Sequence, residues 1–387
     1  MDPIANPYTP NAGSRPPELA GRSAYLRQFE IVIGRLARGT TEQSMIIKGL
    51  RGVGKTVLLN AFEDQAESHH FMSYYHELTP ESSLASELAR DAERALTRLS
   101  LSEKMGRKVR DALGHLRTIS LSGPEGFGLS IDLADADEGT ITSDLTDLFL
   151  ELGAAAQDKG RGVVFLVDEI QFADEVHFRA MVSALHRATQ KSLPITLAAA
   201  GLPQIPRLSG EARSYAERLF TFPTISNLDE PEARSALLEP ARQQDVQYEE
   251  PAVGRALEWT AGYPFYIQQL GKHVWNLASR SPITAEDIEA AIPNATEALD
   301  SSLYEVRVQR ATPSERTYMR AIAELGEGPY RSGDVARMLE RPASALSTIR
   351  QDLINKGLLY ATEDYGHVDF SVPRFDEFMC RYMAFGE

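Results

Sequence analysis

Apolar residues recur along the chain with two periods. Tyr25, Leu26, Phe29, Val32, Ile33 and Leu36 follow three- and four-residue spacing, one face of an amphipathic helix within residues 18–38. The short apolar run Met45-Ile46-Ile47 comes next, then a glycine-rich turn and a helix from Thr56 to about Ser68. Phe71 to Leu78 alternates and is rich in aromatics, which predicts a strand. Helices are expected from Ser82 or Ser83 to Leu99 and from about Ser102 to Leu116. Alternation on both sides of Gly123-Pro124 makes residues 118–133 a β-hairpin, and a helix follows over Thr140–Ala156. Val163 to Val167 is a continuous β-branched and aromatic run, as in a strand buried on both faces of a parallel sheet. A helix over residues 174–190 separates it from a second buried strand, Pro194–Gly201. A helix over Gly210–Arg218 and a short strand over Leu219–Ile225 complete the series. Strands alternating with helices specify an α/β fold with a doubly wound parallel sheet.

After about Asp229 the strand signal stops. Helices are expected at 230–244, 249–260, 264–279 and 284–291, a small helical lid over residues 229–293. Residues 294–312 read as a linker helix. From Pro313, helices at 313–325, 332–340 and 343–356 precede two alternating strands about Asp364-Tyr365-Gly366, and a last helix spans Arg374–Phe385. Three helices and a hairpin over residues 313–387 predict a winged helix-turn-helix. Residues 1–17, rich in Pro, Asn and Ser, are expected to be a flexible arm without the apolar core of a signal peptide.

Composition narrows the class. Hydrophobic residues at 43% and charged residues at 25% are those of a globular protein, and no apolar run approaches a membrane span. The single cysteine, Cys380, excludes an intrachain disulfide and a cysteine-cluster metal site, consistent with a cytoplasmic protein. The formal net charge of −15 argues against general nucleic-acid binding, which needs a Lys/Arg-rich surface. His69 and His70, with His76 beyond them, lack acid or thiol partners at ligand spacing and read as surface residues.

The turn Gly49-Leu50-Arg51-Gly52-Val53-Gly54-Lys55-Thr56 fits G-x-x-x-x-G-K-[ST], a phosphate-binding loop. Glycines let successive N–H groups face phosphate oxygens, and the helix N-terminus adds a favourable field. Lys55 can reach the β- and γ-phosphates of ATP, and the Thr56 hydroxyl can ligate Mg²⁺. Phosphoryl transfer to water also needs a second metal ligand and a group that orients the water. Asp168 and Glu169 stand at the carboxyl end of the buried strand, where ligands bind in open α/β sheets. Asp168 is the metal candidate and Glu169 the base candidate.

These two stretches resemble the Walker A and Walker B motifs of AAA+ ATPases. Leu19-Ala20-Gly21-Arg22 resembles the "GR" segment of initiator-like and STAND ATPases, and Gly262-Tyr263-Pro264 resembles the lid motif of that family. The resemblance covers nearly the whole chain from about residue 18, with residues 18–228 as the ATPase core. It implies ATP/ADP with Mg²⁺, nucleotide contacts from Gly49, Arg51, Gly52, Val53, Gly54, Lys55, Thr56 and Val57, and Leu19, Gly21, Arg22 and Pro264 near the base. It also implies an arginine acting across subunits, for which Ala216-Glu217-Arg218-Leu219-Phe220 supplies Arg218, with Arg213 second. The chain departs from the family where Ala199-Ala200-Gly201 replace a polar sensor, with Thr196 and Gln204 on either side. In the lid only Lys272 offers itself as a second sensor. Tight binding and slow hydrolysis are therefore expected, as in a switch that works through a homo-oligomer or a protein partner. A DNA-reading initiator and a non-enzymatic nucleotide-responsive scaffold are the alternatives. Ser344, Ser347, Thr348, Arg350 and Gln351 would face DNA, although residues 311–387 carry 9 basic and 12 acidic residues.

Overall fold

The structure, a computed structural model, describes residues 1–11, 13, 16, 19–99, 119–121, 129–131, 138–204, 216–362 and 364–385. The expected helix at 102–116, Arg213, most of the helix expected over 210–218, and Glu363 at the expected wing lie outside these residues.

Five strands form the central parallel sheet: β1 (Ser44–Lys48), β2 (Phe71–Glu77), β5 (Gly162–Asp168), β6 (Ile195–Gly201) and β7 (Phe220–Thr221), in the order β2-β5-β6-β1-β7. β5 and β6 are buried along their whole length, as their unbroken apolar runs require. One face packs on α1 (Ser23–Leu36) and α2 (Lys55–Ser68), where Phe29 stacks on Phe62 at 4.2 Å. The other face packs on α3 (Leu84–Leu99), α4 (Glu138–Asp158) and α5 (Glu175–Gln190). β3 (Ile119–Leu121) and β4 (Leu129–Ile131) pair antiparallel, in keeping with the expected hairpin; its turn lies outside the described residues. The short strand expected from Leu219 begins one residue later, because α6 (Ala216–Leu219) occupies the start.

The lid comprises α7 (Glu230–Arg242), α8 (Glu250–Thr260), α9 (Pro264–Leu277) and α10 (Ala285–Leu299). Asp229 and Thr284 cap α7 and α10, and the Thr284–Asp287 capping box fixes the latter. Two expectations fail here. The lid's last helix and the linker helix are continuous: α10 carries Pro293 in its interior and runs through a π-helical stretch, Asp300–Glu305, to Val308. Residues 1–11 are not a loose arm. Tyr8 is 2% exposed, because Gly271 on α9 leaves a hollow that the ring fills. A polar, proline-rich composition does not register one aromatic anchor.

The C-terminal part contains α11 (Pro313–Glu324), α12 (Ser332–Met338), α13 (Ala343–Asn355) and α14 (Phe375–Tyr382). Its strands β8 (Tyr330–Arg331), β9 (Leu359–Ala361) and β10 (His367–Phe370) form an antiparallel sheet in the order β8-β10-β9. β8 is too short to register in the sequence. This part shares one continuous core with the face of the large sheet that packs on α1 and α2, through Tyr263, Tyr266, Leu303 and Tyr304.

Candidate nucleotide-binding site

The loop between β1 and α2 is shaped by its glycines. Gly52 and Gly54 adopt φ of 84° and 94°, left-handed values that a side chain resists, and Gly54 caps α2. At Gly49 a Cβ would stand 2.5 Å from the Ile225 carbonyl, so the loop packs against the last sheet edge only as glycine. Arg22 holds the loop from outside. Its buried guanidinium donates to the carbonyls of Val53 at 2.9 Å and Ser226 at 3.0 Å.

Lys55 is 6% exposed and donates to the carbonyls of Gly49 at 3.0 Å and Leu50 at 2.8 Å. Burial lowers its pKa to about 8, against the pull of Glu169 and Asp168. Asp168 is buried at the end of β5. It accepts from the Thr56 hydroxyl at 2.5 Å, from the Tyr75 hydroxyl at 3.3 Å and from the Glu169 N–H at 2.8 Å. Burial raises its pKa, opposed first by the Thr56 hydrogen bond.

Glu169 follows in a left-handed conformation, φ 53°. It is held at two points: Arg51 Nη1 and Nη2 reach its two carboxylate oxygens at 2.9 and 3.0 Å, and Gln171 Nε2 donates to one of them. Gln171 Oε1 accepts from the Leu202 N–H at 3.0 Å, tying Glu169 to the end of β6. Arg51 in turn meets the C-terminal part. Its backbone N–H donates to the Ser371 carbonyl at 3.0 Å, and a Cβ on Gly357 would stand 2.8 Å from its Nη2. Arg307 belongs to the same cluster. Its pKa is pushed down to about 10 by burial and then by Arg51, while Tyr263 and Glu169 pull the other way.

A cavity opens beside the loop, lined in part by Gly52, Val53, Gly54 and Val57 from the loop side, with Leu19 and Arg22, and by Pro264 from the lid. Gly21 does not line it; it packs against Leu228 and Glu232. Arg218 is exposed at the end of α6, and its carbonyl accepts from Gln43 Nε2, so within one chain it stays out of the cluster. Thr196 is turned to Ser44, 3.1 Å away, and Lys272 contributes only its carbonyl, to Asn6.

His76 is not the surface residue expected: it is mostly buried and bonded to Asp91, with Glu87 3.3 Å away. These partners come from α3, which residue spacing does not bring to β2. Among the described residues no cluster could hold a metal ion through three or more His, Cys, Asp or Glu side chains, and no helix is long and apolar enough to cross a membrane.

Residues 18–197 match the family described as AAA ATPase domain. The chain carries an AAA+ P-loop ATPase domain. Residues 301–379 match a family described as a domain of unknown function. No curated protein matches the sequence. Among solved structures, the Walker-type ATPase of Pyrococcus abyssi aligns over 95% of this chain and 97% of its own, at 15% identity and a TM-score of 0.55. The RuvB Holliday junction branch migration motor of Thermotoga maritima aligns over 90% and 93%, at 17% identity and 0.47. Aeropyrum pernix Orc1, in complex with DNA, aligns over 95% and 96%, at 16% and 0.44. At 15% identity the likeness to the Pyrococcus abyssi ATPase is one of fold.

AAA+ domains bind ATP or ADP with Mg²⁺, and the residues here fit that group. Lys55 is a buried cation beside the loop and Arg307 a partly buried one, and burial lowers the pKa of both. Among the described residues, buried Thr9 Oγ1, lining the cavity, and Tyr263 Oη, beside Gly52, have no hydrogen-bond partner. Thr56 and Asp168 present two adjoining oxygens of the kind Mg²⁺ takes. Tyr75, Gln171, Arg307 and Thr9 were not visible as site residues in the sequence. Only Tyr75 had a signal, two residues before the end of a strand paired with β5.

Proposed function

We propose that the chain is an ATP-binding, slowly hydrolysing molecular switch whose C-terminal part governs the ATPase site. One observation carries the reading. Glu169, the residue suited to orient a water, is engaged by Arg51, and Arg51 is hydrogen-bonded to Ser371. Bound Mg–ATP supplies the electrophilic γ-phosphoryl group and the metal charge. The chain's residues do the rest. Gly49 to Val57 cradle phosphate with backbone N–H groups, and Lys55 exchanges its carbonyl partners for phosphate oxygens. Thr56 and Asp168 would hold the metal, and Leu19, Arg22 and Pro264 would enclose the base. Glu169 takes up the water only after leaving Arg51 and Gln171. Arg218 would add its charge from a neighbouring copy in an assembly.

Residues 313–385 are read here as a winged helix-turn-helix turned inward. On α13, Ser347, Arg350 and Gln351 line a cleft opposite Lys48, Gln204 and Thr224 of the ATPase domain. Tyr266 and Tyr304 both donate to the Pro373 carbonyl, at 2.7 and 2.9 Å, and hold the segment that touches Arg51. A face directed at its own ATPase domain favours an intramolecular role over duplex-DNA reading. DNA binding with a steep salt slope would reverse that preference.

The test is hydrolysis and nucleotide retention by the purified protein. Turnover is expected far below the roughly 10 s⁻¹ of a median enzyme. Lys55→Ala should abolish nucleotide binding, and Glu169→Gln should abolish hydrolysis with binding kept. Fast turnover by an isolated monomer would overturn the switch reading.

A further inference from the structure

The first residues of the chain bridge the lid and the loop helix across the cavity. On the lid, the Tyr8 ring fills the hollow at Gly271, where a Cβ would stand 2.4 Å from it. The Tyr8 hydroxyl donates to the Leu237 carbonyl at 2.5 Å and lies 2.9 Å from the Tyr248 hydroxyl. Asn6 Nδ2 donates to the Lys272 carbonyl and to Asn276 Oδ1, at 3.0 and 2.8 Å. Trp275 Nε1 donates to the Asp2 carbonyl at 2.8 Å. On the other side, the Gly13 carbonyl accepts from Asn60 Nδ2 of α2 at 3.3 Å, and a Cβ on Gly13 would touch the Thr56 methyl at 3.4 Å. Between these anchors Thr9, Pro10 and Asn11 line the cavity.

The polar groups there are selectively committed. The Thr9 N–H donates to Gln268 Oε1 at 3.0 Å, which leaves Gln268 Nε2 as a donor. Thr9 Oγ1 is buried without a partner among the described residues. A donor and a hydroxyl side by side suit the edge of a purine, which offers both an acceptor and a donor. Pro10, Phe265 and Val57 supply the apolar faces against which a flat base packs.

We propose that Tyr8–Asn11 and Gly13 form a nucleotide-retaining strap, the outer wall of the base pocket, whose release from the lid gates nucleotide exchange. The proposal rests on the nucleotide-site reading above. The strap spans the two bodies that close on the nucleotide. On the lid it is held by one aromatic anchor and a few hydrogen bonds. The pocket's other walls come from the phosphate loop and α2, from residues before α1 such as Leu19 and Arg22, and from the lid. The strap can therefore open locally without unfolding either body, and a bound base cannot leave past it while it is closed.

The experiment measures dissociation of mant-ADP by stopped flow in the full chain, together with hydrogen exchange of residues 1–11 in nucleotide-free protein. Gly271→Ala works from outside the pocket. It favours helix α9 intrinsically but puts a methyl group into the Tyr8 ring. Tyr8→Ala removes the anchor directly. Both variants should speed exchange in residues 1–11 and raise the dissociation rate at least tenfold, with the melting temperature of the rest of the chain retained. Faster strap exchange with dissociation within twofold of wild type would overturn the proposal. So would faster dissociation without faster strap exchange, since the effect would then pass through the lid. Tyr8→Ala with both quantities unchanged would overturn it as well. Wild-type binding of mant-ADP that Lys55→Ala abolishes secures the nucleotide site whatever the strap variants do. If wild type binds no mant-ADP, both readings fall.

Discussion

Arg51→Gln removes the two charge-assisted bonds that hold Glu169, and it should release hydrolysis. The pair is two-pronged, at 2.9 and 3.0 Å, and its side chains are 19% and 13% exposed. Exposed ion pairs contribute up to about 1 kcal/mol, and breaking a fully buried pair costs about 3 to 5 kcal/mol. A pair this shielded belongs between them, at about 2 kcal/mol, which corresponds to about a thirtyfold change in the fraction of Glu169 that is free. The assay is single-turnover phosphate release with protein in excess over ATP, alongside a mant-nucleotide titration. The expected result is hydrolysis faster by about thirtyfold, since the wild type reaches its transition state only after separating the pair. Adding Glu169→Gln to the variant should remove the gain. An unchanged or slower rate with nucleotide still bound would refute the brake; Arg51 would then act on the nucleotide itself.

Other outcomes follow from the same geometry. Lys55, held at about 8 against an ordinary 10.5, should take up a proton when phosphate binds above pH 8. Nucleotide affinity should then fall by up to about tenfold per pH unit there, and calorimetry in two buffers of different ionisation enthalpy measures the proton uptake. In the nucleotide-free protein the sign is opposite. The unfolded chain binds more protons between about 8 and 10.5, so this group's contribution raises stability as pH climbs through that window. Asp168→Asn should remove the Mg²⁺-dependent part of ATP affinity while leaving metal-free ADP binding nearly unchanged, as read by titration with and without chelator. Arg374 lies 5.6 Å over both Trp259 and Tyr266. Arg374→Ala should weaken docking of the C-terminal part by about 1 to 2 kcal/mol and speed its proteolytic release from the ATPase domain by about tenfold.

The division between sequence and structure follows the range of the forces involved. The phosphate loop was legible because its chemistry is local: Gly52 and Gly54 must turn left-handed, and Lys55 and Thr56 must follow them on a helix start. The buried strand ending in Asp168 was legible because a two-faced strand needs an unbroken apolar run. The starts of the lid helices and the three helices from Pro313 were legible from their period and caps; where the lid's last helix ends was not. What joins these elements was not. The partners of Glu169 come from the P-loop and from its own 3₁₀ turn, and the partner of Arg51 from Ser371 near the other end of the chain. His76 finds its acids on the next helix, and Tyr8 finds its hollow at Gly271 more than two hundred residues away. Period and composition carry no record of such pairings, because each depends on the shape of a surface that exists only once the chain has packed. The sequence by itself determined a glycine-rich loop at a helix start and two acids at the end of a buried strand. The tertiary structure decided that Glu169 is held by Arg51, that Arg51 is tied to Ser371 in the C-terminal part, and that Tyr8 docks the first residues on α9.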